Sequence, residues 1–159
     1  MVEAVQTLSE YELERGKPMP SKNHAAVQGC VIVALSRYDE KYSVFPELSL
    51  ELDGTPYVPD VSVYPRDSLD PLQDTVTTTD PPLLVIEILS PSQPFDDVVK
   101  KAASYLKAGV KSCWIVQPAI EGVTVLLPGE KPKFYTGGDV TDAATGITVA
   151  VEDVFRPFH

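Results

Sequence analysis

The chain has 159 residues, of which 43% are apolar and 23% charged, a composition typical of one soluble globular domain spanning residues 1–159. No apolar run approaches the ~18 residues that a membrane span requires. Residues 1–16 contain no apolar signal region, so we expect a cytoplasmic protein that does not contact membranes. The net charge of −10 argues against a strong, non-specific nucleic-acid binder, because phosphate neutralisation supplies most of the affinity of such proteins. It does not exclude a small site whose positive charge comes partly from a metal ion.

Two helices are predicted in the first quarter of the chain. The segment Thr7-Leu8-Ser9-Glu10 supplies a Thr or Ser cap with acidic residues in the first turn, and Gly16 ends this helix. Ser21 can cap the second helix. An apolar stripe on that helix is formed by Val27, Val31, Ala34, Leu35 and Tyr38. His24 lies three residues before the stripe begins and shares its inward face, where a well-bonded structural histidine is as plausible as a site residue.

A hairpin and a long loop follow the helices. The segment from Glu47 to Leu52 alternates strictly between leucines and polar residues, which predicts a half-exposed strand. Asp53-Gly54 supplies a turn, and residues 57–64 are predicted to return as the partner strand. Residues 65–82 are rich in Pro, Asp and Thr and have no periodicity, so we expect a loop that connects or contacts substrate.

The second half alternates between strands and one helix. Strands are predicted at residues 83–89, 112–116, 122–127, 133–135 and 146–151, and a short turn at 152–155. A helix is predicted from Pro94 to Ala108, closed by Gly109. The order of elements favours an α/β fold with a mixed central sheet flanked by helices. Cys30 and Cys113 lie in apolar surroundings without metal-binding spacing, so we expect two reduced core thiols.

Glu87 is unusual because it lies inside the most apolar predicted strand. An isolated buried carboxylate is costly unless its charge is compensated by a partner. Asp60 opens a neighbouring strand after Pro59, and the two carboxylates could converge on a divalent cation. Mg²⁺ suits such a pair, since it binds one or two protein carboxylates and keeps several waters. The alternatives are a Glu87 that reaches the edge of the sheet or pairs with a lysine, and an Asp60 that only begins its strand.

The helix after this strand offers two lysines. Lys100 and Lys101 lie on opposite borders of its buried stripe, and periodicity does not choose between them. Asp97, Lys101 and Tyr105 are spaced four residues apart and form one ridge. Lys101 could instead be an amphipathic surface lysine, and Tyr105 a core residue whose hydroxyl finds a polar partner.

Six segments carry a resemblance to a known family. They are YELERG (11–16), PSKNH (20–24), PDVSVYP (59–65), VIEILSPS (85–92), DVVKKAASYLKAGV (97–110) and CWIVQP (113–118). Pro59-Asp60, followed by Glu87 in an apolar strand, resembles the PD-(D/E)XK nuclease superfamily. Nearly the whole chain resembles one family within it, the Uma-two family of restriction-endonuclease-like proteins. The resemblance implies a restriction-endonuclease-like core for this chain.

The resemblance also implies roles for individual residues. The superfamily places a lysine two residues after its acidic residue, which is Leu89 here. The family is similar in lacking that lysine and offering one from the next helix, in a pattern that falls on Asp97, Lys101 and Tyr105. The superfamily implies the Ile88 carbonyl as a further metal ligand.

Three more positions are compared with the family in the same way. Glu12 matches its upstream glutamate and could hold a second metal, although it could also be a solvated helix residue. His24 matches its histidine. Gln117 departs from the family pattern, which has aspartate there, and we expect this departure to be structural.

These expectations combine into a Mg²⁺- or Mn²⁺-dependent endonuclease that hydrolyses DNA. Asp60, Glu87 and the Ile88 carbonyl would hold the metal, and Lys101 would orient the attacking water or neutralise developing charge. A homodimer is expected, because cutting both strands with one site per chain favours a twofold assembly. The alternatives are a nuclease-derived binding module without activity, which the net charge favours, and a hydrolase of another phosphoester such as RNA or a nucleotide.

Overall fold

The computed structural model describes residues 7–159, which form helices on both faces of a six-stranded sheet. The α-helices are α1 (Glu10–Arg15), α2 (Lys22–Leu35), α3 (Phe95–Lys107) and α4 (Val151–Val154). The strands are β1 (Tyr42–Pro46), β2 (Ser49–Leu52), β3 (Thr55–Tyr57), β4 (Val61–Pro65), β5 (Thr77–Thr78), β6 (Leu84–Ile88), β7 (Ser112–Gln117), β8 (Gly122–Leu126), β9 (Lys133–Tyr135), β10 (Asp139–Thr141) and β11 (Thr148–Ala150). The predicted α/β fold class with a mixed sheet is confirmed.

Serine caps begin both N-terminal helices, as the sequence predicts. The Ser9 hydroxyl accepts the Glu12 N–H at 3.2 Å, and the Glu12 carboxylate accepts the Ser9 N–H at 2.8 Å. Gly16 ends α1 with a φ of 65°, a left-handed conformation that glycine adopts without strain. At the start of α2, the Ser21 hydroxyl accepts the His24 N–H at 3.1 Å. These bonds satisfy amide groups that have no partner inside the helix.

The central sheet has the strand order β1-β4-β6-β7-β8-β9. Strands β6 and β7 are parallel and are connected by α3, whereas the other neighbours are antiparallel. Antiparallel pairing of β4 with β6 places Val61, the first residue of β4, opposite Ile86. Asp60 and Glu87 lie directly beyond this pair, near the start of β4 and the end of β6.

Two apolar clusters cover the faces of the sheet. On β6, Leu84, Ile86 and Ile88 belong to the cluster that includes α2 and α4 residues. Val85 points to the opposite face and belongs to the cluster that includes α3 and β2 residues. Side chains alternate between the faces of a strand, so Glu87 lies on the α3 face. All five residues of β6 are buried, which confirms the prediction of a buried strand.

The predicted hairpin of residues 47–64 is wrong in its second strand. β2 pairs with β3 as the turn at Asp53-Gly54 predicts, but β3 ends at Tyr57. The chain then enters the central sheet as β4, between β1 and β6. Pro59 separates the two strands, because it has no N–H to donate to a continuing ladder.

Other parts of the chain also differ from expectation. β1 and β10 were not predicted as strands, and the loop of residues 65–82 contains the short β5, which pairs with β2. The predicted turn after β11 is the short helix α4. Cys113 is buried as expected, but Cys30 is only partly buried and is therefore not a core thiol. Within residues 7–159, none of the helices is long and apolar enough to cross a membrane.

Candidate active site

Asp60 and Glu87 lie next to the same residue pair of two neighbouring strands. Val61 of β4 pairs with Ile86 of β6; Asp60 directly precedes Val61, and Glu87 directly follows Ile86. Both carboxylates are buried, with exposed fractions of 1% for Asp60 and 2% for Glu87. Two acidic groups are therefore held together at the end of the sheet, where each needs compensation for its charge.

Residues of α3 provide the partners of Glu87. The Tyr105 hydroxyl donates a hydrogen bond of 2.6 Å to Glu87 Oε1. Lys101 Nζ lies 3.6 Å from the same oxygen and forms an ion pair with it. Tyr105 is fully buried, whereas the Lys101 side chain is 22% exposed, so the ammonium group borders solvent. Of the three residues on the predicted α3 ridge, Lys101 and Tyr105 therefore contact the Glu87 carboxylate.

Asp60 is compensated from the other side of the site. Lys17 Nζ lies 2.6 Å from Asp60 Oδ1, and His24 Nε2 lies 3.2 Å from the same oxygen. The Ile88 N–H donates a hydrogen bond of 2.7 Å to Asp60 Oδ2. Lys17 and His24 come from the segment between α1 and α2 and from the first turn of α2. The N-terminal helices therefore complete the surroundings of a carboxylate that the sheet presents.

The pKa values of the two carboxylates shift in opposite directions. Burial raises the pKa of Glu87, Lys101 partly offsets this effect, and the charge of Asp60 adds to it. Burial also opposes ionisation of Asp60, but the hydrogen bond from His24 and the charge of Lys17 outweigh it and lower the Asp60 pKa to about 2. Asp60 is therefore a fixed negative charge, whereas the charge on Glu87 lacks full compensation. Burial and the neighbouring Glu87 also raise the pKa of Tyr105.

Glu47 holds the cationic side of the site in place. It forms ion pairs with Arg15 and, at 3.8 Å, with Lys17 Nζ. Its backbone N–H donates to the Asp60 carbonyl at 3.2 Å. The Gln28 side-chain amide donates to both Glu47 Oε1 and the Asp60 carbonyl, at 3.0 and 2.9 Å. These bonds fix the segment carrying Lys17 against the start of β4.

The structure also shows which predicted site residues lie elsewhere. The Glu12 carboxylate caps the Ser9 N–H and accepts the Met19 N–H at 3.1 Å, so it stabilises the segment around Lys17 and contacts neither buried carboxylate. Asp97 is exposed in α3, and its side chain makes no hydrogen bond or ion pair within the described residues 7–159. Lys100 is also exposed, so Lys101 is the α3 lysine that reaches Glu87.

Lys17 and Glu47 were not identified from the sequence. Lys17 directly follows the glycine that ends α1 and precedes Pro18, a position typical of a surface linker. Glu47 fits the polar side of an alternating strand, although its φ of 57° places it outside that strand. The available signal was the short connection between the two capped helices, residues 16–21, in which Pro18 and Pro20 restrict the backbone next to Lys17.

The donor set fits Mg²⁺ or Mn²⁺, which bind hard oxygen ligands. Asp60 and Glu87 would supply one carboxylate each, and the Ile88 backbone lies beside Asp60. Within residues 7–159, His, Cys, Asp and Glu side chains do not form a metal-binding group of three or more, so water would complete the coordination. A cavity of about 10 Å³ beside Asp60, Lys17 and His24 is roughly the size of one water molecule. A cation would have to share Asp60 with Lys17.

One comparison with known proteins shows the family, and another shows the fold. The profile of the Uma2 family, described as "Putative restriction endonuclease", matches residues 6–152. A solved structure described as "a putative nuclease belonging to DUF820 from Anabaena variabilis ATCC 29413" matches with a TM-score of 0.74 and 24% sequence identity. The match covers 87% of this chain and 83% of that chain, which shows a shared fold. No curated protein matches the chain.

Proposed function

Because the chain belongs to the Uma2 family of restriction-endonuclease-like proteins, we propose that it is a divalent-metal-dependent endonuclease that hydrolyses the phosphodiester bonds of DNA. One observation carries the proposal. Two buried carboxylates, Asp60 and Glu87, directly flank the paired residues Val61 and Ile86 of neighbouring strands, and a lysine contacts each of them. Burying two carboxylates side by side costs free energy, and such pairs of perturbed acidic groups occur frequently at functional sites.

Each residue around the carboxylates has a role in this proposal. Asp60, Glu87 and the Ile88 carbonyl would hold Mg²⁺ or Mn²⁺, which would activate a water molecule and offset the charge of the phosphate. Tyr105 would fix the orientation of Glu87 through its hydrogen bond of 2.6 Å. Lys101 lies at the solvent border, where its ammonium group would neutralise charge that develops on a phosphate oxygen.

The N-terminal side of the site would act on Asp60. Lys17 and His24 both contact Asp60 Oδ1, so they keep this carboxylate ionised and fix one of its oxygens. The Ile88 N–H fixes the other oxygen. The carboxylate would thus meet the cation in one orientation, which reduces the reorganisation that the reaction requires.

Cleavage assays with matched variants test the proposal. Supercoiled plasmid, linear duplex and single-stranded DNA are incubated at low salt with Mg²⁺ or Mn²⁺, and Asp60→Asn and Glu87→Gln are compared with wild type. We expect cleavage by the wild type and its loss in both variants, while Glu130→Gln in the exposed turn after β8 keeps wild-type activity. Circular dichroism verifies that each variant is folded. The proposal fails if no DNA form is cut, or if the two variants cut as fast as the wild type.

A binding module derived from a nuclease is the second candidate function. Lys17 already neutralises Asp60 at 2.6 Å, which opposes cation binding there, and the net charge of −10 opposes binding of the phosphates of DNA. Such a module would bind its partner without taking up Mn²⁺ and without cutting DNA. Mn²⁺ uptake therefore separates the two candidates.

Two sequence-based expectations belong to the same proposal. A homodimer would place two sites on the two strands of duplex DNA, and its test is the molecular mass in solution. A monomer would confine each binding event to one strand. The cytoplasmic location is tested by fractionating cells that express the tagged chain.

A further inference from the structure

A larger cleft lies beside the candidate site. It has a volume of about 190 Å³ and opens between the first turn of α2 and the loops that follow β6 and β7. Asn23 and His24 of α2 and Gln117 at the end of β7 line it, together with Pro118 and Ile120 of the next turn. We call it the α2–β7 cleft. Clefts outside the carboxyl ends of parallel strands, here β6 and β7, are common ligand-binding positions.

His24 connects this cleft to the carboxylates. Its side chain is 4% exposed and lines both the α2–β7 cleft and the small cavity beside Asp60. Its Nε2 contacts Asp60 Oδ1, whereas its Nδ1 is buried and has no hydrogen-bond partner in the described part of the chain. A buried polar atom without a partner is costly, so a ligand group that bonds to it would be stabilised. His24 thus lies between the cleft and the cavity beside Asp60 and carries an unsatisfied nitrogen.

The lining indicates which ligand the cleft suits. Among its described lining residues there is no lysine or arginine, so a phosphate would find little positive charge. Asn23 and Gln117 each offer an amide that both donates and accepts hydrogen bonds. Pro118 and the 56% exposed Ile120 supply an apolar surface. At about 190 Å³ the cleft is smaller than the ~300–1,000 Å³ typical of drug-sized ligands, which favours one planar ring system with a polar edge.

We propose that the α2–β7 cleft binds one unpaired nucleobase of a DNA substrate, next to the phosphate at Asp60 and Glu87. The inference rests on the proposed nuclease function and specifies its substrate. A base enters such a cleft only after leaving the stacked duplex, so the substrate is single-stranded or locally unpaired DNA. Base contacts supply affinity without many phosphate contacts, which agrees with a chain of net charge −10.

Gln117 is the specificity-determining residue in this proposal. Its amide can bond to the polar edge of a base, and it is partly exposed at the end of β7. Gln117→Glu keeps the shape of the side chain, removes the donor and adds a negative charge to the cleft. The variant therefore perturbs base binding with little effect on packing.

Fluorescence anisotropy measures this effect directly. A labelled single-stranded oligonucleotide and the duplex of the same sequence are titrated in EDTA, so that binding is separated from cleavage. We expect the single strand to bind more tightly than the duplex, and Gln117→Glu to weaken single-strand binding by about tenfold. Gln73→Glu makes the same charge change in the exposed loop before β5 and is expected to bind like the wild type. Equal affinities for the two DNA forms would overturn the proposal.

Abasic substitution identifies the contact itself. Each nucleotide of the strand is replaced in turn by an abasic residue, and binding is measured for wild type and for Gln117→Glu. We expect one position at which the missing base weakens binding by the wild type. Binding by Gln117→Glu should not change there, because this variant has already lost its contact with that base. Ile120→Ser should also weaken binding, whereas Val33→Ser on the exposed side of α2 should not. The proposal is wrong if no position responds, or if the wild type binds no single strand.

Mn²⁺ binding distinguishes this proposal from the nuclease function. Gln117→Glu is expected to bind Mn²⁺ as the wild type does, since Gln117 does not line the cavity beside Asp60. If the wild type cuts DNA but Gln117→Glu binds single strands normally, the cleft proposal fails alone. If the oligonucleotide results hold without Mn²⁺ uptake or cleavage, the proposed nuclease function fails alone.

Discussion

Replacing Lys17 by methionine tests the buried ion pair that the sequence did not predict. The Lys17 side chain is 8% exposed, and its Nζ lies 2.6 Å from a carboxylate oxygen of Asp60, which is 1% exposed. Removing one partner of a buried pair leaves an uncompensated charge and typically costs ~3–5 kcal/mol. His24 and the Ile88 N–H still bond to Asp60, so we expect the lower end, a loss of about 3 kcal/mol in the free energy of unfolding.

The same variant is expected to bind metal more tightly. The Lys17 ammonium group and a divalent cation would share Asp60, and a single and a double positive charge ~4 Å apart repel by about 8 kcal/mol at an effective dielectric constant of 20. Solvent and movement of the lysine reduce this repulsion. We therefore expect the Mn²⁺ affinity of Lys17→Met to rise by at least about tenfold, or ~1.4 kcal/mol.

The stability and the Mn²⁺ affinity of Lys17→Met are measured in the same buffer. Urea unfolding is followed by fluorescence of the buried Trp114, which is the single tryptophan of the chain, and Mn²⁺ binding by titration calorimetry. Lys22→Met removes the same charge from an exposed position of α2 and is expected to change neither quantity appreciably. If Lys17→Met unfolds at the wild-type urea concentration and binds Mn²⁺ no more tightly, Lys17 does not compensate the charge of Asp60.

Three further substitutions test separate contacts. Tyr105→Phe removes the hydrogen bond to buried Glu87 and is expected to cost about 1–3 kcal/mol in urea unfolding; unchanged stability would contradict the contact. Lys101→Ala should slow DNA cleavage by roughly a hundredfold, whereas the exposed Lys100→Ala should not, and equal rates would remove Lys101 from the site. Ser9→Ala removes the cap of α1 and about 1 kcal/mol of local stability, so its amides should exchange hydrogen faster; unaltered exchange would show that the cap is not stabilising.

Much of the fold follows from local patterns in the sequence. β6 is a continuous apolar run between prolines, and α3 has a clear amphipathic period, so both were predicted within one or two residues. β1 was missed because it is an edge strand with mostly half-buried residues and a proline at its end. Tyr57 and Val61 appeared to belong to one strand, and only the pairing of β4 with β6 shows that they belong to different sheets.

The candidate site was predictable only where its residues follow such patterns. The Glu87 carboxylate inside an apolar strand required a partner. Periodicity on α3 left Lys100 and Lys101 open, and the family resemblance pointed to Lys101 and Tyr105. Lys17 is 43 residues from Asp60 in the sequence and reaches it only through the packing of the α1–α2 connection. No local pattern encodes such a contact, because it depends on where the helices meet the sheet.

Titration with Mn²⁺ is the most direct test of the central claim, that Asp60 and Glu87 form a metal site. Calorimetry of the wild type is compared with Asp60→Asn, Glu87→Gln and the exposed Glu130→Gln, with circular dichroism to verify folding. We predict that the wild type and Glu130→Gln bind one Mn²⁺ per chain, and that both buried-carboxylate variants lose this binding. A wild type that takes up no Mn²⁺, or variants that bind it as well as the wild type does, would contradict the claim.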